Sequence, residues 1–216
     1  MMRYLVPFLI AILILPMCSK GKQEGELEAV EETTGTAEVK PLEGQSILMI
    51  VAQDGFKDVE FRTPKRLLEE AGAIISVASE MPGPCKGVDG LEIEAEYGFA
   101  KEEIDLSSYS AVIVVGGPGT IKHLYHNEDL LALIDKASQM NKVIGSICLA
   151  PGVLAEAGVL TGKKATVYDH PDARKLFDDN GVTYVKEDVV GAGKIVTASG
   201  PNVAEDFGRK IIELLK

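Results

Sequence analysis

Three mainly apolar runs, with Ser146 their one polar residue, constrain the fold of this chain most strongly: ILMIVA at residues 47–52, AVIVV at 111–115 and VIGSI at 143–147. Strands that face water on one side alternate polar and apolar residues, whereas runs without alternation are typical of parallel strands covered on both faces by helices. Segments with helical spacing, residues 58–71 and 129–140, separate these runs. The sequence therefore predicts an α/β fold, a three-layer doubly wound sandwich with a mostly parallel sheet.

The third run stops at a cysteine, Cys148, and Leu149-Ala150-Pro151 then opens a helical pattern. Pro151 suits a first helical turn, because the amide that proline lacks would have no intrahelical partner there. Cys148 is thus predicted on a sharp strand-to-helix turn, a nucleophile elbow that differs from the serine-hydrolase pattern Gly-x-Ser-x-Gly. A helix start lowers a thiol pKa and favours the nucleophilic thiolate. A buried structural cysteine is the alternative interpretation.

Other candidate site residues also follow predicted strands. Glu60 lies in the first helical turn after the first run, Gly116 and Gly117 follow the second, and His170 follows a short run at residues 164–168. Ligand sites in doubly wound sheets lie beyond the carboxyl ends of the strands, so we expect these residues to converge with Cys148. Taken singly, Glu60 could be a helix-start acid and His170 a capping or surface residue.

Charge and cysteine usage exclude some classes of function. The formal net charge of −11 and the pI near 4.8 disfavour nucleic acid as a partner. There is no Cys-x-x-Cys spacing, and we predict neither a metal nor a cofactor. Cys85 and Cys148 could pair in an oxidising compartment, and a disulfide would silence Cys148 as a nucleophile.

The amino-terminal residues indicate export. Residues 1–18 carry positive charge at Arg3, an uncharged apolar stretch at 4–17 and the ending LPMC, which predicts a signal peptide with a lipobox-like end and lipidation at Cys18. An uncleaved short anchor or an ordinary secretory signal are alternatives. Residues 19–45 are too polar to bury a core and are predicted to be a disordered tether. The folded domain is expected at 46–216, on the periplasmic side of the cell envelope and held at the membrane by the lipid or the signal anchor.

Five spaced motifs together resemble the ThiJ/PfpI superfamily, which includes PfpI-type peptidases and the parkinsonism-associated protein deglycase. They are DGFKDVE at 54–60, GGPG at 116–119, ICLAP at 147–151, GKKAT at 162–166 and SGP at 199–201. The resemblance extends over about residues 46–216. It implies a flavodoxin-like, class I glutamine-amidotransferase-like fold with a nucleophile elbow.

The resemblance also implies roles for the candidate residues. Cys148 would be the nucleophile, Glu60 the proton donor and acceptor, and His170, in a His-Pro pair like that of the deglycase branch, an auxiliary base or orienting group. The amides of Gly117 and Leu149, with Gly116 beside them, would bind substrate and stabilise an oxyanion. The implied activity is that of a glyoxalase- or deglycase-like hydro-lyase or hydrolase acting on a small-molecule carbonyl or a modified protein. Family members commonly dimerise, which implies a homodimer here.

Two alternatives remain from the sequence. A PfpI-type cysteine peptidase or amidase is disfavoured, because Leu149 stands where PfpI-type peptidases carry the histidine that follows the nucleophile. A non-enzymatic redox sensor or chaperone would use oxidation of Cys148, since an activated thiolate oxidises readily.

Overall fold

The computed structural model describes residues 40–99 and 104–216. Its strands are β1 (Ser46–Ile50), β2 (Asp54–Phe56), β3 (Ile74–Ser79), β4 (Gly83–Gly87), β5 (Glu92–Ala95), β6 (Tyr97–Gly98), β7 (Ala111–Val114), β8 (Val143–Ile147), β9 (Lys164–Ala165), β10 (Thr183–Tyr184), β11 (Val189–Ala192) and β12 (Ile195–Ala198). Its α-helices are α1 (Asp58–Glu70), α2 (Gly119–His123), α3 (Glu128–Gln139), α4 (Pro151–Glu156), α5 (Pro171–Asp179) and α6 (Ala204–Leu215).

A seven-stranded sheet in the order β11-β12-β8-β7-β1-β3-β6 forms the centre of the domain. Every neighbouring pair is parallel except β11 and β12. The central strands β3-β1-β7-β8-β12 follow the flavodoxin-like order. Helices α1 and α6 pack together on one face, and α3, α4 and α5 cover the other. The prediction of a three-layer doubly wound sandwich with a mostly parallel sheet is confirmed.

The apolar runs form the strands because both of their faces are covered. All residues of β7 and β8 are buried, and in β1 only Ser46 is partly exposed. Gly145 lets α6 lie directly on β8, since a Cβ there would approach Ile211 to 2.8 Å and Phe207 to 3.0 Å. This packing places the carboxyl ends of β1, β7 and β8 side by side.

In the stretch after β3 the sequence indicates only one exposed strand, at 91–95. The structure has two strands there, β4 and β5, which join the earlier strand β2 in a small second sheet of the order β2-β4-β5. Buried Asp58 holds the turn between β4 and β5, because its carboxylate accepts hydrogen bonds from the amides of Asp89 (3.0 Å) and Leu91 (2.7 Å). Gly87 is required beside it, since a Cβ there would lie 2.2 Å from Asp58 Oδ2. A buried acid at a helix start thus orders a distant hairpin, which no local pattern indicates.

The packed domain begins before residue 46. Leu42, in the predicted tether, is fully buried, and its amide donates to the Ala71 carbonyl at 2.9 Å. The predicted signal peptide, Cys18 and tether residues 19–39 lie outside the described residues. Over 40–99 and 104–216, no helix has the length and apolar character needed to cross a membrane.

Candidate active site

Cys148 lies on the sharp turn that the sequence predicts. Its φ of 63° is in the left-handed region, which is uncommon for a residue with a side chain and costs about 1–3 kcal/mol. Two backbone hydrogen bonds fix this conformation: the Cys148 amide donates to the Ala198 carbonyl (2.9 Å), and its carbonyl accepts from the Tyr168 amide (2.8 Å). The turn therefore aims the sulfur away from β8 and towards the carboxyl ends of the neighbouring strands.

Glu60 reaches the same place from the first turn of α1. The amide of Lys57, which lies three residues before Glu60 and directly precedes α1, donates to the Gly116 carbonyl at 2.9 Å, and the Glu60 amide donates to the Lys57 carbonyl at 3.0 Å. The Glu60 side chain is fully buried, and neither carboxyl oxygen has a hydrogen bond of standard geometry within the described part of the chain. The polar and charged groups that act on it are the Cys148 thiol, the Lys57 ammonium and the Gly116 amide.

Burial raises the pKa of Glu60 from 4.5 to about 7, because an ionised carboxylate loses its hydration there. The Cys148 thiol, the Lys57 ammonium and the Gly116 amide act in the opposite direction but are weaker. Glu60 is therefore poised to exchange a proton near neutral pH.

The pKa of the Cys148 thiol is raised well above its usual range. Burial is the largest cause, and the facing carboxylate of Glu60 is the second. The expectation that the helix start makes Cys148 a thiolate in the resting protein is therefore wrong. The backbone amides of Leu149 and Gly117 face the sulfur and lower the pKa of the thiol, but they do not outweigh these two effects. Helix α4, whose dipole is expected to lower the pKa of the thiol, is only six residues long. The thiol must give its proton to a neighbour before it can attack, and Glu60 is the acid–base group that faces it.

Gly116 and Gly117 leave no room for side chains between these groups. A Cβ at Gly116 would lie 2.6 Å from Cys148 Cβ and 2.7 Å from Glu60 Oε2. A Cβ at Gly117, where φ is 121°, would lie 2.5 Å from the Lys57 amide nitrogen. The glycines therefore allow direct contact between thiol and carboxyl and leave the Gly117 amide facing the sulfur.

The backbone of Leu149 is held by a residue outside the predicted site. The Tyr125 hydroxyl donates to the Leu149 carbonyl at 2.7 Å, and its ring packs where Gly152 has no side chain. This bond fixes the peptide unit between Leu149 and Ala150, which directly follows the unit that carries the Leu149 amide.

His170 lies at the same cleft but makes a different contact. It precedes α5, where its Nδ1 accepts a hydrogen bond from the Asp172 amide at 3.3 Å and lies 3.7 Å from the Asp172 carboxylate. Among the described residues, no hydrogen bond or ion pair joins His170 to Cys148 or Glu60. The structure thus brings Cys148, Glu60, Gly116, Gly117 and Leu149 into one cluster, with His170 on the wall of the cleft.

The cleft over this cluster has a volume of about 330 Å³. Its lining residues are Lys57, Glu60, Gly117, Pro118, Ile121, Cys148, Leu149, Tyr168, His170 and Pro201. Lys57 is absent from the residues predicted for the site, although it lies three residues before Glu60 in the same motif. Tyr168 was likewise missed, and its position two residues before His170 is the signal that could have indicated it.

Cys85 and Cys148 are both free and buried, so they form no disulfide. Cys85 lies on β4 and accepts a hydrogen bond from Gln53 Nε2 at 3.4 Å. Across the two described ranges, no group of three or more His, Cys, Asp and Glu side chains is arranged to hold a metal ion.

Comparison with known proteins gives relatives over most of the chain. An uncharacterized protein of Methanocaldococcus jannaschii is 34% identical over 175 residues, which cover 81% of this chain and 84% of the relative. A deglycase of Pyrococcus abyssi is 30% identical over 169 residues, 78% of this chain and 99% of the relative. Other relatives bear the names glutathione-independent glyoxalase and putative cysteine protease.

A solved structure also resembles this chain over most of its length. The crystal structure of a ThiJ/PfpI domain protein from Brachyspira murdochii superposes with a TM-score of 0.75 at 25% identity, over 80% of this chain and 97% of that chain. The DJ-1/PfpI family matches residues 45–214, the stretch that contains Glu60, Cys148 and His170, and the chain therefore belongs to the DJ-1/PfpI family.

Proposed function

We propose that this protein is a cysteine-dependent enzyme that converts α-oxoaldehydes into α-hydroxy acids, the reaction of a glyoxalase. The observation that carries the proposal is the buried, unpartnered Glu60 carboxyl facing the Cys148 thiol at the base of an open cleft. Relatives named deglycase and glyoxalase support the same class of chemistry. Adducts of such aldehydes with proteins are the second substrate class, since they too present a carbon open to thiol attack.

The first step is addition of the thiol to the aldehyde. Cys148 Sγ forms a bond to the aldehyde carbon while its proton passes to the Glu60 carboxylate, and the carbonyl π electrons move to oxygen. The backbone amides of Leu149 and Gly117, which face the sulfur, are placed to stabilise this oxyanion. Glu60 then returns the proton to the oxygen, which gives a neutral hemithioacetal and a carboxylate again.

The second step moves a proton between the two substrate carbons. The Glu60 carboxylate removes the hydrogen from the carbon that bears sulfur and delivers it to the neighbouring carbon, while the hydroxyl proton of the first carbon passes to the oxygen of the second; the hemithioacetal thereby becomes, through an enediol, the thioester of the hydroxy acid. Water then cleaves the thioester into the hydroxy acid and the free Cys148 thiol, so the net change is addition of one water. A general acid–base group works best when its pKa lies near the operating pH, and the Glu60 pKa of about 7 meets that condition.

Peptide hydrolysis has less support. A cysteine peptidase needs a histidine within hydrogen-bond reach of its thiol. Leu149 occupies the position after the nucleophile, and the Nδ1 of His170 is engaged by Asp172. Redox sensing is also less supported, because a thiol whose pKa is raised oxidises less readily than a thiolate.

The test is methylglyoxal consumption and lactate formation by the full-length protein, with Cys148→Ser beside it. Cys85→Ser is the matched control, since it removes the other free thiol of the described domain. We expect lactate formation to vanish with Cys148→Ser and to persist with Cys85→Ser. Lactate formation that survives Cys148→Ser would refute the proposal. Absence of turnover with Cys148 intact and oxidisable would favour the redox or chaperone alternative.

We further propose that the protein is exported and lipid-anchored at Cys18 in the cell envelope. The support is the apolar stretch at residues 4–17, which ends in LPMC before a polar segment. The homodimer also stays a prediction, which light scattering after size-exclusion chromatography would check.

A further inference from the structure

An ion pair at the edge of the catalytic cleft has no part in the proposed reaction. Lys57 Nζ lies 2.8 and 3.1 Å from the two carboxylate oxygens of Asp89. The Lys57 side chain is 30% exposed and lines the cleft together with Glu60 and Cys148. No other lysine or arginine lines this cleft in the described part of the chain. One positive charge is therefore fixed beside the reacting groups.

The main chain of Lys57 is bound to both sides of the site. Its amide donates to the carbonyl of Gly116, and its carbonyl accepts from the amide of Glu60. The side chain therefore begins beside Glu60, at a backbone position with little freedom.

Asp89 is held just as firmly. Its own amide donates to the buried carboxylate of Asp58 at 3.0 Å, and the Val88 amide donates to the Phe56 carbonyl at 2.9 Å. The turn between β4 and β5 is therefore fixed to the segment that leads into α1. Asp89 therefore reaches Lys57 from an anchored backbone, while its own side chain is half exposed.

We propose that the Lys57–Asp89 ion pair is a positioning device that fixes one ammonium charge beside Cys148 and Glu60 and so controls how the two share their proton. The proposal rests on the proposed use of these two residues as nucleophile and acid–base group. Lys57 lowers the pKa of Glu60 against the effect of burial, and the hydrogen bond and charge of Asp89 raise the pKa of Lys57. Asp89 also keeps the ammonium from moving onto Glu60, where a direct ion pair would make the carboxylate too weak a base.

Substitutions of Lys57 and of Asp89 should shift the pH at which Glu60 and Cys148 lose their proton in opposite directions. Lys57→Met removes the positive charge and leaves Asp89 unpaired, so Glu60 and Cys148 should hold their proton to higher pH. Asp89→Asn frees the ammonium to approach Glu60, so the proton should leave at lower pH. For a charge this close to solvent, we expect shifts of about half a pH unit. Lys57→Arg keeps the charge and should stay near the wild-type value.

The test is the rate at which iodoacetamide alkylates Cys148 as a function of pH, followed on full-length protein by mass spectrometry of the Cys148 peptide. We expect one inflection, displaced upward by Lys57→Met, downward by Asp89→Asn and unmoved by Lys57→Arg. Inflections that stay in place, or that move in the same direction for both variants, would overturn the proposal. Because alkylation needs no turnover, opposite shifts in a protein without methylglyoxal activity would uphold the device and reject the glyoxalase reaction alone.

Discussion

The buried carboxyl of Glu60 predicts that Glu60→Gln lowers activity and removes a loss of stability that the wild type suffers between pH 5 and pH 8. In the folded protein the pKa of Glu60 is about 7, against an ordinary value of 4.5. Between these two pH values the native state holds a proton that the unfolded chain has released. Stability therefore falls as the pH rises through this window and is level above it.

The size of the effect follows from the same two values. A difference of about 2.5 pH units, at about 1.4 kcal/mol for each unit, gives about 3 kcal/mol lost by the wild type between pH 4.5 and 8. Glutamine has nearly the same shape and does not titrate, so this loss is absent from Glu60→Gln. For a domain of this size, about 3 kcal/mol corresponds to roughly 6–12 °C in melting temperature.

Denaturant unfolding at pH 5 and pH 8, on the wild type and on Glu60→Gln, measures this directly. Burying an unpartnered amide carries its own penalty, but that penalty is the same at both pH values and cancels from the comparison. We expect the variant to gain most of the predicted difference at pH 8 relative to pH 5, while turnover falls about 10²–10⁴-fold. If the two proteins lose the same stability over this range, Glu60 does not carry a raised pKa and the acid–base argument fails.

Three further predictions address neighbouring features. Gly116→Ala should abolish turnover, because the added Cβ would force the thiol and carboxyl apart. Gly191→Ala, whose Cβ meets nothing closer than 3.8 Å, should leave turnover unchanged, and equal activity of the two variants in a steady-state assay would contradict this prediction. Tyr125→Phe removes the hydrogen bond to the buried Leu149 carbonyl and should cost about 1–3 kcal/mol in the free energy of unfolding, measured in urea; an unchanged value would show that water replaces the hydroxyl. Cys18→Ala should prevent incorporation of labelled palmitate and release the protein from the membrane fraction; a variant that stays membrane-bound would indicate an uncleaved anchor.

The sheet and the elbow could be predicted from sequence because their signals are local. Apolar runs without alternation report burial on both faces, and a run that stops at Cys148 before Pro151 reports a strand-to-helix turn. The charge state of the site could not be predicted in the same way. The pKa of Cys148 depends on how deeply the thiol is buried and on the facing Glu60 carboxyl, and both follow from packing between segments far apart in the chain. The helix start alone predicts a lowered pKa for Cys148, which is the wrong direction.

The same reasoning explains why the hairpin turn between β4 and β5 could not be predicted from the sequence. Alternation indicated a strand at residues 91–95, but the contact that matters joins Asp58 to the backbone of the turn before it. A buried aspartate at a helix start resembles any first-turn acid in sequence. Only the fold distinguishes Asp58, which accepts two amide hydrogen bonds from the hairpin, from Glu60 two residues later, which accepts none of standard geometry.

This contrast between Asp58 and Glu60 is the strongest physical argument that the cleft is a site of chemistry. Two acids in one helical turn are both buried, yet only one has its oxygens satisfied by backbone amides, as stability requires. The other faces a cysteine in a strained backbone conformation, across a glycine that leaves no room for any side chain. A left-handed Cys148 and an unpartnered carboxyl both destabilise the fold, and the neighbouring Asp58 shows that the same helix can bury an acid with its hydrogen bonds complete. Their coincidence at the carboxyl ends of β1, β7 and β8 is therefore best explained by a reaction that needs Glu60 free to accept and return a proton.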